Sequence, residues 1–194
     1  MLSPDGRRLL LRVERGKTPV SVVIDTATGR QLPLPEAVNS PIGFTADGTK
    51  VYGYVRAMTG QEARVGVWSI PAGEKLREFG VPDFLRIALG PNGKTAYVRT
   101  SKAISSEVWD FEAGKRVCTL SIKGETKLYH NDFLAFADGC RKVVTEHSGR
   151  ELRVFDAATG KLERTVKVPA VNTLAVRLHG VSDDLAAVLA ETYE

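Results

Sequence analysis

The chain is 194 residues long, 43% hydrophobic and 26% charged, long enough to bury a sizeable core and too apolar for a disordered segment. Its 27 Lys and Arg against 23 Asp and Glu leave a net charge of +4 spread without runs, which argues against nucleic acid and mildly favours acidic partners. Cys118 and Cys140 are too few for a disulfide scaffold, lack the paired spacing of a zinc site, and are expected to be free thiols.

The opening stretch MLSPDGRRLLLRVERG has no long apolar segment ending in small residues, and no stretch reaches the roughly 18 apolar residues of a membrane span. A soluble, unexported, cytoplasmic chain without membrane contact is therefore expected. Along the sequence, SPDG (3 to 6) precedes the runs RRLLLRV and VSVVID, which close on TATG (26 to 29). TADG (45 to 48) precedes KVYGYV, and RVGVWSI leads into PAG (71 to 73). GPNG (90 to 93) precedes KTAYVRT, and SEVWDF leads into EAG (112 to 114). FADG (136 to 139) precedes KVVTEH, and LRVFD leads into AATG (157 to 160). TLAVRL and LAAVLAET then flank a degraded VSDD (181 to 184). The runs are short, rich in β-branched and aromatic residues, and without helical period, which predicts strands throughout.

The punctuation is periodic. Asp5, Asp47, Asn92, Asp138 and Asp183 are spaced 42, 45, 46 and 45 residues apart; Gly29, Gly73, Gly114 and Gly160 are spaced 44, 41 and 46 apart. In SPDG, Pro presets φ, Asp suits the third turn position, and Gly takes the left-handed conformation that closes a hairpin. In DTATG, the Asp side chain accepts backbone N–H groups ahead of it before Gly again takes positive φ. Two turn types in a unit of about 45 residues with four short strands predict an all-β fold of β-propeller blades, each a four-stranded antiparallel sheet. About 4.5 blades are expected: a partial blade over 1–40, then 41–80, 81–124 and 125–170, and a second partial blade over 171–194. An open arc or segment of a larger propeller fits these units better than a closed ring of four, because LAAVLAET and RRLLLRV would compete for one slot. Open end faces also predict self-association through unpaired end blades.

Through WDFEAGK, FDAATGK and the SPDG-type turns, nearly the whole chain resembles divergent WD-repeat propellers. VSVVIDTATGR and TAYVRTS equally resemble the YVTN-type repeats of bacterial propellers. The Gly-His dipeptide that opens a typical WD repeat is missing, and Trp-Asp stands only at Trp109-Asp110. The resemblance implies a docking face built from the loops between second and third strands and between blades. On this chain that face would carry Arg15, Lys17, Gln61, Arg64, Lys102, Tyr129, His130, His147 and Arg150, a set that leans basic and suits an acidic protein or peptide segment.

No catalytic constellation accompanies these residues. His130, His147 and His179 do not recur with the blades, and neither a GxSxG elbow nor a phosphate-cradling glycine loop is present. Trp68, Trp109, Ile24 and Phe155 hold equivalent strand positions and are expected between blades. The innermost strands, PIGF, FLRIAL, FLAFA and TLAVRL, carry only Arg86 and Arg177 as ionisable groups. A non-catalytic interaction scaffold without cofactor or metal is the expectation; the alternatives are a YVTN-like enzyme such as a lactonase, or an incomplete fragment with no activity of its own.

Overall fold

The computed structural model describes residues 1–15, 18–32, 34, 38, 40–55, 63–100, 105–122, 131–147, 151–167 and 175–193. The described residues form seventeen strands and no helix, so no helix is long and apolar enough to cross a membrane. Strands β1 (Arg8–Arg15), β2 (Thr18–Asp25) and β3 (Gln31–Leu32) make a three-stranded sheet. Three four-stranded antiparallel sheets follow: β4 (Ser40–Phe44) to β7 (Lys75–Gly80), β8 (Phe84–Leu89) to β11 (Lys115–Thr119), and β12 (Asn131–Ala137) to β15 (Leu162–Lys167). Strands β16 (Ala175–Val181) and β17 (Val188–Tyr193) pair with each other to close the series. This is an open series of propeller blades, as the period predicts. TLAVRL does not complete the first blade; a short trace of an inner strand does, through the Leu2–Leu9 bridge and the Leu10 amide bonded to the Met1 carbonyl at 2.8 Å.

The turns account for the period. Gly6, Gly48 and Gly93 have φ of 71°, 64° and 62°, and each donates its amide to the carbonyl three residues back. In the fifth unit the register is one residue later than the VSDD reading. Asp184, not Asp183, accepts the Ser182 hydroxyl at 2.6 Å and the Ala186 amide at 3.0 Å, and Leu185 takes the glycine position at φ 61°. Leucine bears the left-handed strain while its side chain packs on the Ala137, Val144, Leu152 and Val154 cluster. The fourth unit also departs from its neighbours, with Asp138, Gly139 and Cys140 in succession at positive φ. In the second turn type, Asp25, Asp110 and Asp156 each accept an amide two or three residues ahead. The two turn types are tied together in each of the first four blades by one repeated bond: Thr26 to Arg7, Ile70 to Thr49, Phe111 to Lys94 and Ala157 to Arg141, all amide to carbonyl.

The core lies between blades. Leu10, Val23 and Val38 of the first blade pack on Val51, Trp68 and Ile70 of the second. Tyr52, Val65 and Val67 meet Ala96, Trp109 and Phe111, and Tyr97 and Val108 meet Val143, Phe155 and Ala157. Trp68, Trp109 and Phe155 are buried here as their spacing predicts, whereas Ile24, on the first blade, is only half-buried. Not every glycine serves a turn. Gly53 and Gly66 face each other across β5 (Lys50–Val55) and β6 (Arg64–Ser69), and the Trp68 indole lies over both; a Cβ at Gly66 would stand 2.3 Å from Trp68 Cη2.

Candidate functional site: a groove between innermost strands on the loop face

Each innermost strand carries a β-bulge. In β4, β12 and β16 the extra residue falls at Ile42, Leu134 and His179, but in β8 it falls at Leu85, nearer the end of the strand that meets the inter-blade loop. A bulged residue loses its ladder partner and turns out of the sheet. Leu85 is accordingly 63% exposed, and Arg86 follows it into the open.

The consequence is a groove of about 670 Å³ between β4 and β8, with Ile42, Tyr54, Phe84, Leu85, Arg86 and Ile87 among its walls. Tyr54 and Phe84 meet edge to face with centroids 5.2 Å apart and stiffen one wall. The Arg86 guanidinium lies 5.7 Å from the Phe133 ring centroid and makes no ion pair among the described residues. A cation over an aromatic face, beside apolar walls, can hold an anionic group attached to an apolar one.

The groove opens beside the starts of β4 and β8, the end of β5 and the residue before β6, the end of the sheets on which a partner is expected to dock. Two smaller clefts, about 320 Å³ and 390 Å³, lie between blades on the opposite side. Their rims are already neutralised, Lys94 lying 3.5 Å from Asp110 and 3.1 Å from Glu112, and Lys142 lying 3.6 Å from Asp156. Burial pushes the Tyr52 hydroxyl at the first of these clefts up to about 12, so it stays protonated. It pushes the Cys118 and Cys140 thiols up as well, and both cysteines are free.

Of the docking residues expected from sequence, Arg64 and His147 can be placed. Arg64 Nε pairs with the Glu78 carboxylate, which Lys75 also meets at 2.8 Å, and these cations hold Glu78 below the usual carboxylate range, Lys75 most strongly. Arg64 is thus partly committed to its own sheet. His147 ends β13 (Lys142–His147) opposite Asn131 and Glu151, with Nδ1 buried and unpartnered among the described residues. Arg15 ends β1, but its side chain, like Lys17, Gln61, Lys102, Tyr129, His130 and Arg150, lies outside the described residues. The groove itself was not among the expected site residues. Its sequence signal is the Leu85-Arg86 doublet, an exposed pair inside an otherwise apolar inner strand.

No family model matches the chain, and no curated protein matches it. Among solved structures it is similar to the hydrazine synthase of Kuenenia stuttgartiensis, with a TM-score of 0.53 and 23% identity, covering 91% of this chain and 50% of that one. This chain therefore spans half the length of the hydrazine synthase chain it matches. At that identity the likeness speaks to the fold alone.

Proposed function

We propose that the chain is a non-catalytic, WD-like or YVTN-like propeller scaffold that holds an acidic protein or peptide segment against its loop face. The observation that carries this reading is the groove beside Arg86: a cation over an aromatic ring, without an ion pair among the described residues, flanked by Leu85, Phe84 and Ile42, with Asp83 also in the lining. Apolar anchors beside a single guanidinium suit an apolar side chain next to Asp or Glu better than they suit a uniformly charged ligand. The net charge of +4 steers such a segment toward the molecule.

The test is selection from a displayed peptide library on the immobilised chain, followed by titration calorimetry of the enriched peptides. Enriched sequences are expected to pair an apolar residue with a carboxylate, to lose affinity as salt rises, and to bind about tenfold or more weakly to Arg86→Ala, the loss expected for a desolvated charge contact. Failure to enrich, or binding indifferent to Arg86→Ala and Arg86→Glu, overturns the reading, as does turnover of a lactone by the purified chain.

A further inference from the structure

One row of the sheet departs from the repeat at the boundary between the second and third blades. It reads Tyr52, Val67 and Arg77 in the second blade and Tyr97, Val108 and Cys118 in the third. The two tyrosines are buried alike, at 1% and 0% exposure. The Tyr97 hydroxyl is satisfied within its own sheet, 2.7 Å from Ser106 Oγ. Val65 holds the position of Ser106 in the second blade, and the Tyr52 hydroxyl has no hydrogen-bond partner among the described residues. Tyr52 instead lines the cleft of about 320 Å³ between these blades, together with Arg77, Glu112 and Asp47, whose charges act on its hydroxyl. A buried polar group left without a partner is uncommon and calls for an explanation.

Arg77 is the second departure. In the third blade the Cys118 thiol donates to the Ala157 carbonyl of the following turn at 3.3 Å. Arg77 Nη2 makes the equivalent bond to the Phe111 carbonyl at 2.7 Å and a further one to the Glu112 carbonyl. The Phe79 ring centroid lies 5.5 Å from the guanidinium carbon. These contacts hold the cation at the cleft wall and leave Nε and Nη1 without an acceptor among the described residues. The lysines of the cleft are matched, Lys50 lying 3.6 Å from Asp47 and Lys94 lying 3.1 Å from Glu112. Arg77 makes no ion pair among the described residues, so its charge is the one left over in the lining.

We propose that this cleft binds a small monocarboxylic acid with an apolar body, the carboxylate taking the Arg77 guanidinium and the Tyr52 hydroxyl and the body resting on Val67 and Leu76. Burial keeps the Tyr52 hydroxyl protonated, able to donate to an anion. Leu76 stands 48% exposed at the mouth, an apolar surface such a body would cover. Asp47 and Glu112 on the rim oppose a second negative charge, which disfavours phosphate esters and dicarboxylates. The volume is close to the lower bound of about 300 Å³ for ligand pockets, which suits a small molecule. The site lies on the opposite side of the blades from the Arg86 groove and is independent of it.

Phenylacetate, benzoate and hexanoate are the probes, titrated into the chain carrying isotope-labelled tyrosine and followed by nuclear magnetic resonance. The Tyr52 signal is the one missing from Tyr52→Phe. At least one of the acids should move that signal saturably, whereas benzyl alcohol, which lacks the charge, acetate, which lacks the body, and phenylsuccinate, which carries two carboxylates, should each bind about tenfold or more weakly. By calorimetry, Tyr52→Phe and Arg77→Gln should each weaken the best acid about tenfold, the loss expected for one hydrogen bond to a charged group. Tyr52→Phe removes a hydroxyl that bonds nothing among the described residues, so it carries the test alone if circular dichroism shows Arg77→Gln unfolded. Saturable binding by none of the acids, equal binding of benzyl alcohol, or affinity unmoved by Tyr52→Phe overturns the proposal. Binding lost in Arg86→Ala but kept in Tyr52→Phe overturns it too, by placing the acid in the loop-face groove.

Discussion

At the scale of single residues, Trp68 packs closely against the glycine pair Gly53 and Gly66. The indole lies where both side chains would have been, buried to 2% exposure and shared between the first two blades. Gly66→Ala must displace a ring held on all sides, at a cost of about 1–3 kcal/mol typical of overpacking. The urea unfolding midpoint should fall accordingly. Gly180→Ala is the control, since a Cβ there meets nothing within 4 Å, and it should leave the midpoint nearly unchanged. A second close arrangement joins Trp109 Nε1 and Arg116 Nη1 to the buried Glu107 carboxylate at 2.8 and 3.1 Å. It gives a buried charge the partners that burial requires.

At the scale of the turn, one device recurs: a Ser or Thr hydroxyl donates to the Asp that organises the turn. Ser3 does so for Asp5, Thr28 for Asp25, Thr45 for Asp47, Thr159 for Asp156 and Ser182 for Asp184. In all five this hydroxyl bond is the foremost reason the carboxyl is held below the ordinary Asp range, ahead of the backbone amides and nearby cations. A carboxyl depressed in the folded state adds stability that is fully present above its unfolded value, about 3.9, and is lost as pH falls through the folded value. Thermal unfolding followed by circular dichroism should therefore be flat near neutrality and decline below about pH 4. Asn92 performs the same turn without titrating, accepting the Lys94 and Thr95 amides at 3.1 and 2.9 Å. Replacing Asp47 and Asp5 together by Asn should leave the fold intact and make the acid decline shallower; an unchanged slope would show that these turns do not set acid stability.

At the scale of the whole molecule, each blade packs only on its neighbours, so stability is a sum of blade and boundary contributions and is lowest where one boundary is open. The 194-residue chain should show its slowest amide exchange in β5, β6, β9 (Thr95–Thr100), β10 (Ser106–Asp110), β13 and β14 (Glu151–Asp156), which lie in blades with neighbours on both sides. Amides of β1 and β17, in the end sheets, should exchange faster. Exchange read by mass spectrometry on peptide fragments checks this, and uniform protection from end to end would contradict nearest-neighbour stability.

Much of this was readable in the amino acids themselves. A turn is decided by four or five adjacent residues, so SPDG, TADG, GPNG and DTATG declare their hairpins, and the regular spacing of those turns declares the blades. Trp68, Trp109 and Phe155 could be assigned to the core because a strand alternates and the repeats superpose. What depends on unlike neighbours was not readable. The one-residue shift that puts Asp184 and Leu185 in the turn, the glycine pair under Trp68, and the bulge that turns Leu85 and Arg86 outward each arise from which strand lies opposite and which blade lies alongside. The groove has the same origin: local sequence determined the repeated unit, and the packing of one unit on the next decided where a groove was left between them.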